Sequence, residues 1–447
     1  MNYKLLAENI VKKALKSGAD EAEVYLENTR EFELDVRNGD VETIKQATSK
    51  GMGLMVFKEK KLGFSYTSDF SDESLNEFIK KTVRLSLVAD PKPWNGLPDF
   101  KKGELQNLDI YDPSISEIPN EKKIKIAEEV EKIALAFDQR ITKSRGGFFG
   151  DSEKEVIIVN SKGISYSSKR SGVYFGAAVV AEEGSEMQSG GWSSSKRHFK
   201  DLDNIENVAK KAGKRAVEKL GLRPVPTQKA PVVFDRYAAS AFWYGILLAM
   251  NGDSVFKKTT FLTEHLNKSI ASEFITLVDD PTIPRHVSSV PFDGEGNITR
   301  KNVLIDKGIL KMFIYDTITA RKAGVKVNTI ARRYGYRSPA GAGFLNIVVQ
   351  NGNVNREKII SGIKNGYYVK GLRGIGTDIP TGNYSCGSSG FWIKEGEIAF
   401  PVDGITLGGN ALDIMKNIEV MANDLDLRGG LNSPSFKISE IAVGGKK

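Results

Sequence analysis

Apolar positions at helical spacing open the chain: Leu5, Leu6, Ile10, Val11, Ala14 and Leu15 share one face, and Gly18 ends the run. Alternating segments follow, the period-two pattern of strands with one buried face. They cover 22–26, 32–37, 41–49, 53–58 and 61–67, with Asn38-Gly39-Asp40 and Lys50-Gly51 as the expected hairpin turns. Ser71-Asp72-Glu73-Ser74 reads as the cap of a helix over 75–88.

The same order then returns. A helix is expected over 120–136, strands over 141–147, 155–160, 165–169, 173–182 and 186–193, and a helix over 201–220. Arg37-Asn38-Gly39-Asp40-Val41 and Val159-Asn160-Ser161-Lys162-Gly163 are corresponding turns. The pattern predicts an α+β fold: an N-terminal α+β domain (1–222) of duplicated helix–antiparallel sheet–helix units, 1–90 and 120–220. The Pro- and Asp-rich segment 90–119 joins the units. A linker is expected at 223–230, on the Pro224-Val225-Pro226 run. A β-rich C-terminal domain (231–447) follows. Its expected strands are 302–305, 310–315, 346–349, 366–369, 390–394 and 397–400, with turns at Asp306-Lys307-Gly308 and Glu395-Gly396-Glu397. Helices are expected only at 236–250, 257–270, 357–365 and 411–422.

At 447 residues with 40% apolar and 27% charged residues, the chain can bury a large core without staples. Its single cysteine, Cys386, excludes an intrachain disulfide and any Cys-rich zinc module. Its histidines, His198, His265 and His286, lie too far apart to form a helical metal-binding pair. Net charge is 64 − 56 = +8. Residues 1–225 hold 37 basic and 36 acidic side chains and residues 226–447 hold 27 and 20, which places the surplus in the second half. Such a surplus is too small to imply nucleic-acid binding. The amphipathic start is not a signal peptide, and the longest apolar stretch, 237–250, is too short to span a bilayer. With one thiol, these features point to the cytoplasm and away from a membrane.

Catalytic signatures are missing. There is no G-x-S-x-G and no phosphate loop, and Gly374-Ile375-Gly376 lacks the third glycine of a dinucleotide fingerprint. Asp293-Gly294-Glu295-Gly296-Asn297 reads as a tight turn rather than a calcium loop. Asp279-Asp280 could serve acid–base work only if two adjacent strand residues reached one atom. Cys386, in a Gly/Ser-rich stretch read as a loop, is the one candidate nucleophile. A basic stretch between Asp316 and Glu357 holds no acidic residue. Within it Arg321, Arg332, Arg333, Tyr334 and Arg337 are candidates to grip a peptide or an acidic partner.

From Ser272 onward the order of motifs resembles the TldD/PmbA family of modulator-of-gyrase-like peptidase subunits. The stretches that carry the likeness include Val278-Asp279-Asp280-Pro281, Pro291-Phe292-Asp293-Gly294-Glu295-Gly296, Val303-Leu304-Ile305-Asp306-Lys307-Gly308, Gly390-Phe391-Trp392-Ile393-Lys394-Glu395-Gly396 and Ile405-Thr406-Leu407-Gly408-Gly409-Asn410. The resemblance implies a cytosolic metallopeptidase complex that takes unfolded peptides into a chamber. In the TldD branch a helix carries H-E-x-x-x-H, and a late cysteine completes the metal site. An ungapped comparison puts Trp243, Tyr244 and Leu248 at the first histidine, the glutamate and the second histidine, and the late Gly429-Gly430-Leu431-Asn432-Ser433 lacks the cysteine. The chain therefore resembles the metal-less PmbA/TldE branch, with no catalytic or metal-binding residue of its own. On that resemblance it supplies chamber wall, peptide contacts and dimer surface. Zinc is expected in a TldD-like partner, with a homodimer as the other arrangement. Two further readings rest on residues alone. One is an autonomous hydrolase using Cys386, Asp279 or Asp280; the other is a binder of an acidic macromolecule through 321–337.

Overall fold

The computed structural model describes residues 1–99, 103–326 and 330–445. Its first part is two repeats of one plan: α1 (Tyr3–Lys16), β1 (Glu21–Arg37), β2 (Asp40–Lys58), β3 (Lys61–Thr67), α2 (Asp72–Val88), then α3 (Asn120–Leu135), β4 (Ile141–Asn160), β5 (Ser165–Glu183), β6 (Glu186–Lys196), α4 (Ile205–Val217). All six strands form one sheet in the order β3-β2-β1-β4-β5-β6. The first strands of the two repeats pair antiparallel at its centre, Arg30 opposite Glu153, so the repeats are related by an approximate two-fold axis through that point.

The strands are longer than expected. Segments read as separate pieces are single strands: 22–26 with 32–37, 41–49 with 53–58, 141–147 with 155–160, and 165–169 with 173–182. Asn38-Gly39 is the hairpin turn expected, both residues at positive φ (53° and 83°). Lys50-Gly51 is not a turn; Gly51 pairs with Glu27 in mid-strand. Ser71 sits at the cap of α2 without a side-chain cap bond, and Asp69 accepts from Ser71 N at 2.9 Å instead.

Alternation along β1 decides which face is buried. Ala22, Val24 and Leu26 join the core under α1 and α2, and Phe32, Leu34 and Val36 the core under α3 and α4. Each such side chain contributes about 1.5–3 kcal/mol when fully buried. The odd positions face the other way and are Glu21, Glu23, Tyr25, Glu27, Thr29, Glu31, Glu33 and Asp35. The joining segment 90–119 is more than a tether. Leu97 packs on Met55 and Phe57, Leu105 against Tyr25 and Ile158, and Ser171 N donates to Ile110 O at 3.0 Å.

The second part begins with β7 (Gln228–Phe234), so residues 228–230 of the expected linker already pair in a sheet. Next come α5 (Arg236–Ala249), α6 (Gly252–Phe256), β8 (Leu277–Asp279), β9 (Asn302–Asp306) and β10 (Ile309–Leu310). α7 (Thr317–Ala323), β11 (Ala331–Arg332), β12 (Gly341–Ala342), β13 (Ile347–Val349) and α8 (Arg356–Ser361) follow. The chain ends with β14 (Asn365–Arg373), β15 (Asn383–Lys394), β16 (Glu397–Asn410), α9 (Ala411–Lys416), β17 (Ile418–Met421), β18 (Leu431–Asn432) and β19 (Phe436–Gly444). One sheet runs β16-β15-β14-β7-β19-β17 and closes on itself through β16–β19 pairing. A smaller one runs β10-β9-β8-β13-β18. α5 packs against this framework in the largest core.

Two expected helices fail. Residues 257–270 are turns, because key backbone bonds go to distant segments: Phe261 N donates to Ile379 O (3.0 Å) and Asn267 N to Leu310 O (2.8 Å). The helix expected over 411–422 stops at Lys416, and 418–421 become β17 against β19. Of the strand expected over 310–315, only Leu310 is in β10. Among the described residues no helix is long and apolar enough to cross a membrane.

Candidate functional site

The odd face of the sheet does not close fully on the second part. Between them lies a cleft of about 470 Å³. Its floor is β1 (Tyr25, Thr29, Glu31), β4 (Ser152, Lys154, Val156) and β5 (Ser168, Arg170); its roof is 287–294 and Arg332, Arg333 and Tyr334. Strand pairing explains the floor. Thr29 is opposite Lys154 and Lys154 is opposite Arg170, which lines up one polar row across three strands.

One buried ion pair pins the roof. Arg333 donates to Glu23, both side chains 1% exposed, and its Nε donates to Gly294 O at 3.0 Å. Its guanidinium also lies 4.5 Å from the Tyr25 ring centre. Burial pushes the Glu23 carboxyl up, and the Arg333 charge pulls it back down. Next along the floor, Glu27 accepts from Tyr25 Oη (3.1 Å) and pairs with Lys154 (2.6 Å). Arg197 closes one side, donating to Ser171 O at 2.7 Å and to the carbonyls of His286 and Val287. Burial lowers His286 to about 4, so its ring is neutral at pH 7.

The loop after Arg333 docks on β2 through missing side chains. A Cβ on Gly51 would lie 2.2 Å from Tyr336 Cζ, and one on Gly53 2.3 Å from Tyr336 O. Gly51 marks a close approach, which is why it failed as a turn signal.

The basic stretch is therefore not a free loop. It begins with α7, capped by Asp316 and Thr319 and ended by Gly324 at φ 67°. Arg321 on α7 donates to Gly96 O (2.9 Å) and Leu97 O (2.8 Å), fastening the joining segment. Arg321 and Arg333 thus already use their guanidinium donors in contacts within the fold. Arg332 lines the cleft and stacks on Tyr334, which is 82% exposed. Arg337 is exposed beside Tyr336. Residues 327–329 of the stretch lie outside the described residues.

Three other candidates separate. Asp279 is fully buried and accepts from Leu345 N (3.0 Å) and Asn346 N (2.7 Å); burial pushes its carboxyl up to about 6. Asp280 instead accepts from Thr282 N and Oγ1, at 3.1 and 2.6 Å. Cys386 is not in a loop. It lies in β15, buried in the largest core, with Sγ donating to Arg373 O at 3.3 Å. In the 293–297 turn, Asp293 accepts from Glu295 N and Asn297 N, and Glu295 from Thr317 N. Burial pushes both carboxyls up, and their turn partners occupy them. Glu23, Lys154, Arg170 and Arg197 were missed from sequence. The one signal available was the run of acids at alternate positions of β1.

Family models match along the chain: PmbA/TldA metallopeptidase domain 1 at 22–86, the central domain at 113–220 and the C-terminal domain at 227–445. The chain is 30% identical to the metalloprotease PmbA homolog of Buchnera aphidicola, over 99% of this chain and 98% of that one. The chain belongs to the PmbA/TldD family. It is 29% identical to the metalloprotease PmbA of Escherichia coli, over 97% and 94% of the two chains. A solved Bacteroides thetaiotaomicron structure, named for modulation of DNA gyrase, superposes with TM-score 0.91 at 28% identity, covering 99% of each chain.

For a PmbA/TldD metallopeptidase fold, the metal is the point to check. Asp235 caps α5, accepting from Tyr237 N at 2.8 Å. After that the helix carries no His, Asp, Glu or Cys. Trp243 is fully buried, 5.5 Å from the Phe242 ring and 6.4 Å from Phe436. Tyr244 points to solvent, 41% exposed against Phe344, and Leu248 is half-buried. Trp and Leu side chains offer no lone pair to zinc, and a neutral Tyr is a poor base. Among the described residues, no three His, Cys, Asp or Glu side chains gather closely enough to hold an ion. On α5, the side chains at 243, 244 and 248 do not fit a resident metal.

Proposed function

We propose that this chain is a PmbA/TldE-like subunit without a metal of its own, acting inside a cytosolic metallopeptidase complex on unfolded peptides. A TldD-like partner holds the zinc and performs hydrolysis; this chain supplies chamber wall, dimer surface and peptide contacts. The observation that carries the reading is α5. The helix is folded and packed, yet its inner positions are Phe242, Trp243, Ile246 and Leu247, all in the core. The interdomain cleft is the peptide seat. Arg170 and Arg332 line it and have no ion pair among the described residues, so both can meet peptide carbonyls or a carboxylate. Exposed Tyr334 adds an apolar face beside them.

The test is zinc content and hydrolysis of an unfolded peptide, measured on the isolated chain and then with a TldD-like partner. The expected result is no stoichiometric zinc and no turnover alone, and turnover when paired. Stoichiometric zinc, or hydrolysis by the chain by itself, defeats the reading.

A further inference from the structure

A second cavity, of about 430 Å³, opens between α4 and the N-terminal end of α5. Seven cationic side chains line it against two carboxylates, Glu218 and Asp235. α4 contributes Lys210, Lys211, Lys214 and Arg215; Arg236, Arg356 and Lys370 come from the second part. Lys210 is paired to Glu206 at 2.6 Å. Arg236 lies 3.8 Å from Asp426 and Arg356 3.7 Å from Asp424. Lys370 approaches both lining carboxylates, at 3.9 and 3.6 Å, and Asp235 is already the cap of α5. Lys211, Lys214 and Arg215 have no carboxylate partner among the described residues.

One indole holds two of these, Lys211 and Arg215, together with Arg428. Lys211 Nζ sits 3.8 Å from the Trp192 ring centre, Arg215 Cζ 4.9 Å and Arg428 Cζ 4.6 Å. Arg428 is itself ion-paired to Asp426 (2.7 Å) and Asp203 (2.8 Å), so the ring cations without a carboxylate partner are Lys211 and Arg215, both drawn to the ring and repelling each other. Burial, with Arg236, Arg428 and Arg215 around it and only Asp426 opposing, lowers Lys211 to about 8. A multiply charged anion would relieve the repulsion between Lys211 and Arg215.

We propose that this cavity binds a small oligophosphate, free or carried on a nucleoside. A single carboxylate would leave most of the surplus uncompensated, whereas three linked phosphates bring several charges in a compact chain. Arginine forks match phosphate oxygens in pairs, and Lys211 and Lys214 add point charges. A cavity of this size takes a ligand of that size. The inference stands apart from the peptidase reading, because its site shares no residue with the cleft.

The experiment is calorimetric titration of the isolated full chain with sodium triphosphate, adenosine triphosphate and citrate at low ionic strength, with Trp fluorescence followed in parallel. Triphosphate is expected to bind, to perturb Trp192 emission, and to bind at least tenfold more tightly than citrate. Lys214→Glu, on the exposed side of α4, and Arg215→Gln should each weaken it tenfold or more. Trp192→Phe should remove the optical signal while heat of binding persists. Tighter binding of the nucleotide than of triphosphate assigns the base a seat as well; equal binding assigns the site to the phosphate chain. No heat with millimolar triphosphate, equal affinity for citrate, or unchanged affinity in a folded Lys214→Glu protein overturns the proposal. No peptide is present in the assay, so its failure leaves the peptidase reading untouched.

Discussion

Positive charge gathers in two places, and they are built in opposite ways. Around the cleft Arg333 is matched with Glu23, Lys154 with Glu27 and Arg197 with backbone carbonyls, and of the lining cations only Arg170 and Arg332 have no such partner among the described residues. Around α4 and α5, Lys211, Lys214 and Arg215 crowd a single indole or face water with no carboxylate assigned to them. The matched set is architecture, since removing one member strands its buried partner. The unmatched set keeps like charges close together, and on the oligophosphate proposal it is held for a ligand.

The largest test of this contrast is Arg333→Ala. It leaves the Glu23 carboxyl buried without its counter-charge and removes the roof of the cleft. Breaking a buried pair costs about 3–5 kcal/mol, so denaturant unfolding should show a loss of that order. Glu23→Gln in the same background should recover part of it. A loss under about 1 kcal/mol would mean that the pair is not the clasp described.

Gly51→Ala comes next. Its Cβ would overlap the edge of the Tyr336 ring, 2.2 Å from Cζ, and overpacking of this kind costs about 1–3 kcal/mol. The penalty should vanish in a Tyr336→Ala background, as a double-mutant cycle would show. Additive losses would place the strain elsewhere.

Asp279 gives a pH test. Its folded pKa, about 6, lies above the ordinary aspartate value, so between about pH 4 and 6 the folded state binds the extra proton. Its contribution to stability is therefore present below pH 4 and is lost as pH rises through 6. Asp279→Asn should flatten that slope by about 3 kcal/mol across the window, measured by urea unfolding at successive pH values. An unchanged slope would show that the carboxyl is charged throughout.

How far the sequence carried the fold depends on where each segment finds its hydrogen bonds. Asn38-Gly39, Lys307-Gly308 and Glu395-Gly396 are turns where expected, because a residue pair at positive φ is a local demand. The repeated plan was legible for the same reason: each strand in it pairs with its neighbour in sequence, except where β1 meets β4. Residues 257–270 and 418–421 were misread because their backbone partners lie far along the chain. Gly51 misled because the reason for a glycine there is Tyr336. The absence of metal donors on α5 could be read directly. The cleft could not, since Glu23, Lys154, Arg170 and Arg333 meet only after the sheet forms and the second part docks. Counting charge by halves also hid the α4 cations, because the first half is nearly neutral overall and its basic helix is balanced elsewhere.

Lys211→Met gives the smallest effect and the sharpest contrast with Arg333→Ala. Methionine keeps a flexible apolar contact with Trp192 and removes one of the two ring cations that have no carboxylate partner. Lys211 has a folded pKa of about 8, below the ordinary lysine value, so its charged form is disfavoured in the folded state. That penalty is fully present below pH 8 and fades as pH rises from 8 towards the ordinary lysine value, because only the unfolded chain then still holds the proton. The side chain is half in water, so screening and the lost cation–π contact leave a net gain of only about 0.5–1 kcal/mol at pH 7. Stability should rise on substitution, the gain should shrink above pH 8, and triphosphate binding should weaken. A structural lysine would behave otherwise: its loss would lower stability, as loss of Arg333 does. Destabilisation by Lys211→Met would therefore place both concentrations of charge in the same class and remove the distinction between them.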